Sequence, residues 1–366
     1  MYGVTVFVSL HLSPQSRTPD DDLEIIESVV RHATAAEHHG AAAICLTEHH
    51  LGGLNSYTDS FMLGALLAGR LTRAHVALTV AQVAQHHPIQ IVERANLLDV
   101  LTRGKCFVAL GQGWASPVEL GAFGLEQLDG ARVTNERIDL MLRAWDWTQA
   151  DGSLELTTSV DRATLHGRVS PAPFRGRRPL IGRATTTDST IVATARLGLP
   201  AVLGTWDREA GARQLDLYRG TLLAGDLDDQ TIDDCLAWSV YTLPVVLAAD
   251  QRAAEARLAK YRTLAAHGPA LTPDSAATVW RDEWTRREVG KLGIAAAVSP
   301  EQLVDLVDEH VAAGARGVRI LPIQVAAAPD DHDESLDLLF RDVFPQLPLE
   351  PLPEPTRRRV AVPTAR

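Results

Sequence analysis

Cysteine is scarce. Three stand in 366 residues, Cys45, Cys106 and Cys235, far apart and with no C-x-x-C among them. An odd, scattered set argues against a disulfide framework or a thiolate zinc site and fits a reducing compartment. Long apolar runs are missing too; none approaches the roughly 18 residues that span a bilayer. Positive charge is in deficit, the formal net charge being −11, which disfavours nucleic acid or an anionic membrane as partner. The opening residues, MYGVTVFVSL, lack the basic n-region and the h-region of a secretory signal, so a cytoplasmic protein is expected. No G-x-G-x-x-G follows the first apolar run, which weakens an open doubly wound, dinucleotide-binding sheet. Gly111-Gln112-Gly113 is half of that fingerprint and follows the fourth run.

What is present is alternation. Runs rich in Val, Ile and Leu lie at Val4–Leu10, Ala42–Thr47, Val76–Val83, Cys106–Gly111, Pro179–Gly182, Pro200–Leu203, Ala237–Val246 and Val318–Leu321. Such runs suit strands covered on both faces. Helical patterns fill the gaps. Asp22–His39 ends at Gly40, Ile89–Leu101 follows Pro88, and Ser299-Pro300-Glu301-Gln302 reads as a capping box before a helix closed by Gly314. Eight strand–helix units predict a (β/α)8 TIM barrel, a single domain over residues 1–347. The polar stretch 151–178 reads as an insertion. Residues 267–297, with Trp280 and Trp284, read as a second insertion and a lid, and the Pro/Arg-rich 348–366 as an extended or disordered tail.

Barrels place their chemistry at the C-terminal ends of the strands. His11 follows strand one; Glu48, His49 and His50 follow strand two; Gln85, His86 and His87 follow strand three. Gly111, Gln112 and Trp114 follow strand four, Arg183 and Thr185–Thr187 strand five, Trp206 strand six, and Gln324 strand eight. No metal is expected, because strand one offers only His11, and adjacent histidines on extended backbone point to opposite faces. His86-His87-Pro88 reads as structural, Pro88 opening a helix and a histidine satisfying its free backbone groups. Glu48-His49-His50 reads as chemical: burying three such groups is costly, and a neutral imidazole can give or take a proton near pH 7. The run Arg183–Thr190 carries two readings. Its hydroxyls can cap a helix, or they can join the helix dipole and Arg183 in holding a phosphate, with Asp188 opposing unless it faces solvent.

Taken in order, these residues resemble the luciferase-like flavin-dependent monooxygenases. The resemblance starts at TEHHLGG and runs from Asp59 to Trp114 through the H-H-P and N-L-L-D pieces. It resumes at PLIGRATTTDSTIVATARLGLPAVL and QLDLY, and ends with VSPEQLVDLVDEHVAAGARGVRILP. The resemblance implies a (β/α)8 barrel, often dimeric, that binds reduced FMN or a related deazaflavin at the strand C-termini. A partner flavin reductase delivers the reduced flavin, which with oxygen oxygenates a small organic substrate. It implies that His49 is the histidine beside the flavin ring, that Thr185, Thr186 and Thr187 hold its phosphate, and that a non-proline cis peptide lies near Thr79-Val80. It also implies that Gly111 and Gln112 border the flavin and that Trp206 packs by the ring, which leaves His11, His50, Trp114 and Gln324 as substrate candidates. Two departures stand out. Gly111 and Gln112 replace the cysteine and arginine of the luciferase catalytic subunit, which argues against light emission and leaves Arg183 as the phosphate cation. Gln82 and Gln85, where apolar residues are usual, point to a more polar ring pocket or a shifted cofactor preference. The rival readings are a deazaflavin-dependent hydride-transfer enzyme, a non-catalytic flavin-binding accessory subunit and, last, a metal-dependent hydrolase.

Overall fold

The computed structural model describes residues 6–15, 19–50, 58–113, 117–147, 152–204, 208–267, 290, 292–324 and 329–354. Its strands are β1 (Phe7–Leu12), β2 (Ala43–Leu46), β3 (His75–Gln82), β4 (Cys106–Gly111), β5 (Leu154–Thr157) and β6 (Arg162–Leu165). They continue with β7 (Leu180–Thr185), β8 (Ala201–Leu203), β9 (Val240–Leu247), β10 (Ala296–Val298) and β11 (Gly317–Pro322). Eight of them pair in parallel in the order β1-β2-β3-β4-β7-β8-β9-β11, and β11 pairs with β1, so the sheet closes into a (β/α)8 barrel.

Each of the eight apolar runs becomes a barrel strand, with shifted ends. The seventh begins at Val240 rather than Ala237, because Ala237 and Trp238 complete the helix Asp229–Trp238. β10 lies outside the eight and pairs with Val245–Leu247 of β9, beyond the point where β8 ends. Its Ala-Ala-Val sequence carries no strand signal. At the N-terminal end of the barrel the Phe7 ring fills the interior, and a Cβ on Gly317 would collide with it. This plug leaves the opposite mouth as the place for a cavity.

The helices α1 (Asp22–His38), α2 (Ser60–Ala68), α3 (Pro88–Leu101), α4 (Pro117–Ala122), α5 (Gly130–Asp146) and α6 (Asp188–Arg196) surround the first half of the barrel. After them come α7 (Arg208–Leu223), α8 (Asp229–Trp238), α9 (Gln251–His267), α10 (Pro300–Ala312) and α11 (Pro329–Leu338). The capping box of α10 forms as the sequence indicates, with Ser299 and Gln302 each satisfying the other's backbone N–H. Among the described residues no helix is long and apolar enough to cross a membrane.

The 151–178 stretch holds the antiparallel hairpin β5–β6. Arg137 of α5 anchors it, donating from Nε and Nη2 to the two Asp161 oxygens at 2.8 Å each. The same guanidinium donates to the Val83 and Ala84 carbonyls just past β3, at 3.0 and 2.8 Å. The N-L-L-D piece has a structural task here. Asn96 donates to the Pro171 carbonyl and accepts from Trp145 Nε1, while Asp99 accepts from the Phe174 N–H, so both polar residues fasten the insertion to α3. Trp280 and Trp284 of the proposed lid lie outside the described residues, as do residues 355–366. The first residues of the tail are held rather than loose: Val6 N–H donates to the Pro348 carbonyl at 3.1 Å, and Glu350 N–H to the Val6 carbonyl at 2.9 Å.

Candidate functional site

A cavity of ≈ 360 Å³ opens at the C-terminal ends of the strands, a size usual for small-molecule sites. One end lies in the barrel mouth and is lined by His11, Thr47, His49, Thr79, Val80 and Arg319. The other runs past Gly111 and Gln112 to α5 and the start of α6, where Thr134, Asn135, Arg183, Thr186 and Thr190 line it. The Thr79–Val80 peptide bond is cis, and the register between β3 and β4 shifts between Thr79 and Ala81, so Val80 bulges from the strand. A Cβ on Gly111 would meet Val80 at 3.1 Å and Ala184 at 3.4 Å. Glycine here keeps a flat, apolar cradle between β3 and β7.

The Glu48-His49-His50 segment divides its side chains, as extended backbone requires. Glu48 turns inward and is almost wholly buried. Its Oε1 accepts from His50 Nε2 at 2.8 Å and, in a very short contact, from His86 Nε2; its Oε2 accepts from the Gln82 N–H at 3.0 Å. Gln82 also donates through Nε2 to the Glu48 carbonyl at 2.5 Å. Burial pushes the Glu48 carboxyl up, but the two imidazoles and the Gln82 amide outweigh it and hold it at about 2. These contacts correct two expectations and sharpen a third. His50 is not at the cavity but stacks edge-on against Phe123, ring centroids 5.3 Å apart. The structural reading of His86-His87-Pro88 holds, with the two histidines on separate tasks: His87 caps α3, accepting the Ile89 N–H at 3.3 Å, while His86 binds Glu48. Gln82 and Gln85 leave the ring pocket unchanged, since neither lines it. The ligand atoms of Glu48, His50 and His86 lie within 4.8 Å of one another, a metal-like grouping that adjacency in sequence did not reveal. With Glu48 ionised, both imidazoles must direct Nε2–H at it, so the trio is a hydrogen-bonded clamp that ties the loop after β2 to β3.

The clamp yields a pH signature. A carboxyl held at about 2 when folded and near 4.5 when unfolded stabilises the protein fully above pH 4.5, and that stability is lost as pH falls towards 2. Glu48→Gln is expected to cost on the order of 3 kcal/mol at neutral pH in denaturant unfolding, with the gap to the parent closing between pH 4.5 and 2. A gap that stays constant across that window would show that the carboxylate is not the source.

His49 faces the cavity, with Nδ1 3.6 Å from Glu119 Oε1 of α4. The same oxygen accepts the His50 N–H at 3.1 Å, so Glu119 fixes both the loop and the ring. Glu119 escaped notice in the sequence because nothing in V-E-L-G-A marks it as a partner for a histidine 70 positions earlier. The Arg183–Thr190 run resolves into separate jobs. Thr187 is the α6 N-cap, in a reciprocal capping box with Thr190, and does not line the cavity. Thr185 is buried against the Val202 carbonyl at 3.5 Å and does not line it either. Thr186 and Arg183 do. Asp188 turns to solvent and pairs with Arg213 at 2.9 Å, which removes its objection to an anion nearby. His11 and Gln324 line the cavity as expected, while Trp114 and Trp206 lie outside the described residues.

The far end fits a phosphate. The Arg183 guanidinium reaches only the Asn135 amide oxygen, no carboxylate pairs with it among the described residues, and burial pulls its pKa down. Thr134 Oγ1, buried in the same wall, has no hydrogen-bond partner among the described residues. A buried cation and an orphaned hydroxyl beside a helix N-terminus are what an anionic group requires. The apolar cradle at Val80, Gly111 and Ala184 fits a planar ring.

Known proteins share this fold. A profile described as luciferase-like monooxygenase matches residues 4–317. The alkanal monooxygenase alpha chain of a Kryptophanaron alfredi symbiont is 25% identical over 223 residues, 60% of this chain and 60% of that one, so the match spans less than two thirds of the relative. Monooxygenase RslO1 from Streptomyces bottropensis superposes with a TM-score of 0.73 at 18% identity, over 93% of this chain and 99% of that chain. The oxygenating constituent of 3,6-diketocamphane monooxygenase from Pseudomonas putida, solved in complex with FMN, gives a TM-score of 0.67 at 15% identity, over 94% of this chain and 100% of that one. With the profile matched over most of its length, the chain belongs to the luciferase-like monooxygenase family.

Proposed function

We propose that the protein is a flavin-dependent monooxygenase that takes reduced FMN from a separate flavin reductase and uses oxygen to oxygenate a small organic molecule. The observation that carries the reading is Arg183. A buried guanidinium with no carboxylate partner among the described residues stands at one end of a cavity whose other end holds an apolar cradle and His49. The FMN bound by the diketocamphane enzyme of the same fold supports this choice of cofactor. The reading extends to a homodimer, as the family resemblance implies, and to the cytoplasm, as the three scattered cysteines indicate.

Bound reduced flavin supplies the electrons and activates the oxygen; the protein supplies placement and protons. Arg183 and Thr186, with Thr134 behind them, would hold the phosphate. Val80, Gly111 and Ala184 would exclude water from one face of the ring. His49, its Nδ1 turned to Glu119, moves a proton through Nε2. His11 and Gln324 line the remaining wall, where an organic substrate can lie.

Anaerobic titration with reduced FMN, in parallel with a reduced deazaflavin cofactor, tests the reading. Selective binding of reduced FMN is the expected outcome. Selective binding of the deazaflavin would move the protein to hydride transfer without oxygen, and binding of neither would remove the flavin altogether.

A further inference from the structure

One buried charge in the cavity has no part in the phosphate end or in the work of His49. Arg319 lies mid-way along β11, level with Ser9 of β1 and Thr242 of β9. Its side chain crosses the barrel interior beneath the mouth. Nε and Nη2 donate to Thr242 Oγ1 at 3.1 and 2.6 Å, and Nη1 approaches the Thr79 carbonyl on the far wall at 3.5 Å. A guanidinium has five N–H donors, and two neutral oxygens engage three of them here, one at the limit of hydrogen bonding.

No carboxylate pairs with Arg319 among the described residues. The Cys45 thiol is the titratable group that acts on it, but burial pushes that thiol's pKa up and keeps it protonated, so it supplies no counter-charge. Burial pulls the arginine's own pKa down. Neighbouring barrel positions at this depth are small or apolar, among them Cys45, Ala77 and Ala109. A guanidinium buried there without a counter-anion is strongly unfavourable, and an apolar side chain would stabilise the empty barrel better. The donors left over belong to a residue that lines the barrel-mouth end of the cavity, the end assigned to the flavin ring.

We infer that Arg319 reads the negative charge of the reduced flavin ring and thereby gives the site a preference for reduced over oxidised cofactor. Reduced flavin that has released its N1 proton carries a charge spread over N1 and the C2 oxygen. That is a planar acceptor suited to a guanidinium fork, and oxidised flavin lacks the charge. The inference rests on the flavin reading above and adds to it a sensitivity to redox state. The division of labour is then sharp. Arg183 reads a phosphate that is the same in both redox states, and Arg319 reads a ring whose charge changes.

Arg319→Met and Arg319→Lys in the full chain test it, through dissociation constants for reduced FMN, reduced riboflavin and oxidised FMN and the melting temperature of the cofactor-free protein. Arg319→Met is expected to weaken both reduced flavins at least about tenfold, equivalent to about 1.4 kcal/mol, and to leave oxidised FMN essentially unchanged. Arg319→Lys restores part of the loss, and the melting temperature of the Met variant does not fall, because a charge without a counter-ion has been removed. Equal weakening of reduced and oxidised FMN, or no change in either, overturns the inference while leaving the flavin reading intact. A lower melting temperature with both forms weakened assigns Arg319 a structural role and overturns it as well. Parent protein that binds neither form removes the flavin reading, and this inference with it.

Discussion

Replacing His49 with alanine leaves reduced flavin bound and lowers turnover by about 10²–10⁴-fold, the range by which a positioned acid–base group contributes. The split follows from where the residue stands. His49 lines the barrel-mouth end of the cavity, its Nδ1 lies 3.6 Å from Glu119, and Arg183 and the start of α6 line the other end. Removing it therefore takes away a proton carrier without disturbing the phosphate end. Product formed per reduced FMN consumed, measured beside the dissociation constant for reduced FMN, separates the two effects. Unchanged product formation would take His49 out of the mechanism; loss of flavin binding in step with turnover would make it a binding residue. Glu119→Gln, which weakens the orientation of the ring but keeps the ring, is expected to fall between parent and His49→Ala.

Arg183→Ala has the opposite profile. A hydrogen bond to a charged partner contributes about 1.5–3 kcal/mol, so FMN affinity should fall about 10- to 150-fold. Riboflavin, which has no phosphate, should bind as before. The comparison matters because Gln112 stands where the luciferase catalytic subunit has an arginine. Gln112 lines the cavity but brings no charge, so Arg183 is the one cation among the described residues that line that end. Equal loss of FMN and riboflavin would show that Arg183 shapes the wall rather than reads the phosphate.

Local signals in the sequence were reliable and long-range ones were not. Eight apolar runs became eight barrel strands because strands buried on both faces must be continuously apolar, and the caps at Ser299 and His87 formed because caps depend on neighbours within a turn. The cis bond at Thr79–Val80 lies where the family resemblance placed it. The tie between His86 and Glu48 was not legible because the two lie 38 residues apart, and no spacing rule connects the end of one strand to the next. The three threonines looked alike on paper. Strand alternation then buried Thr185 and the helix start claimed Thr187, which left Thr186 for the cavity. Arg319 passed unnoticed in G-V-R-I-L-P because an arginine inside a strand normally marks a solvent-facing position. Only barrel closure turns it inward.

Crystals grown with FMN give the most direct check on where the cofactor sits. The phosphate should lie within hydrogen-bonding distance of the Arg183 guanidinium and the Thr186 hydroxyl, and the ring should rest on Val80 and Gly111 beside His49. Phosphate density away from Arg183, or a ring outside the barrel mouth, would contradict the assignment of this cavity to flavin.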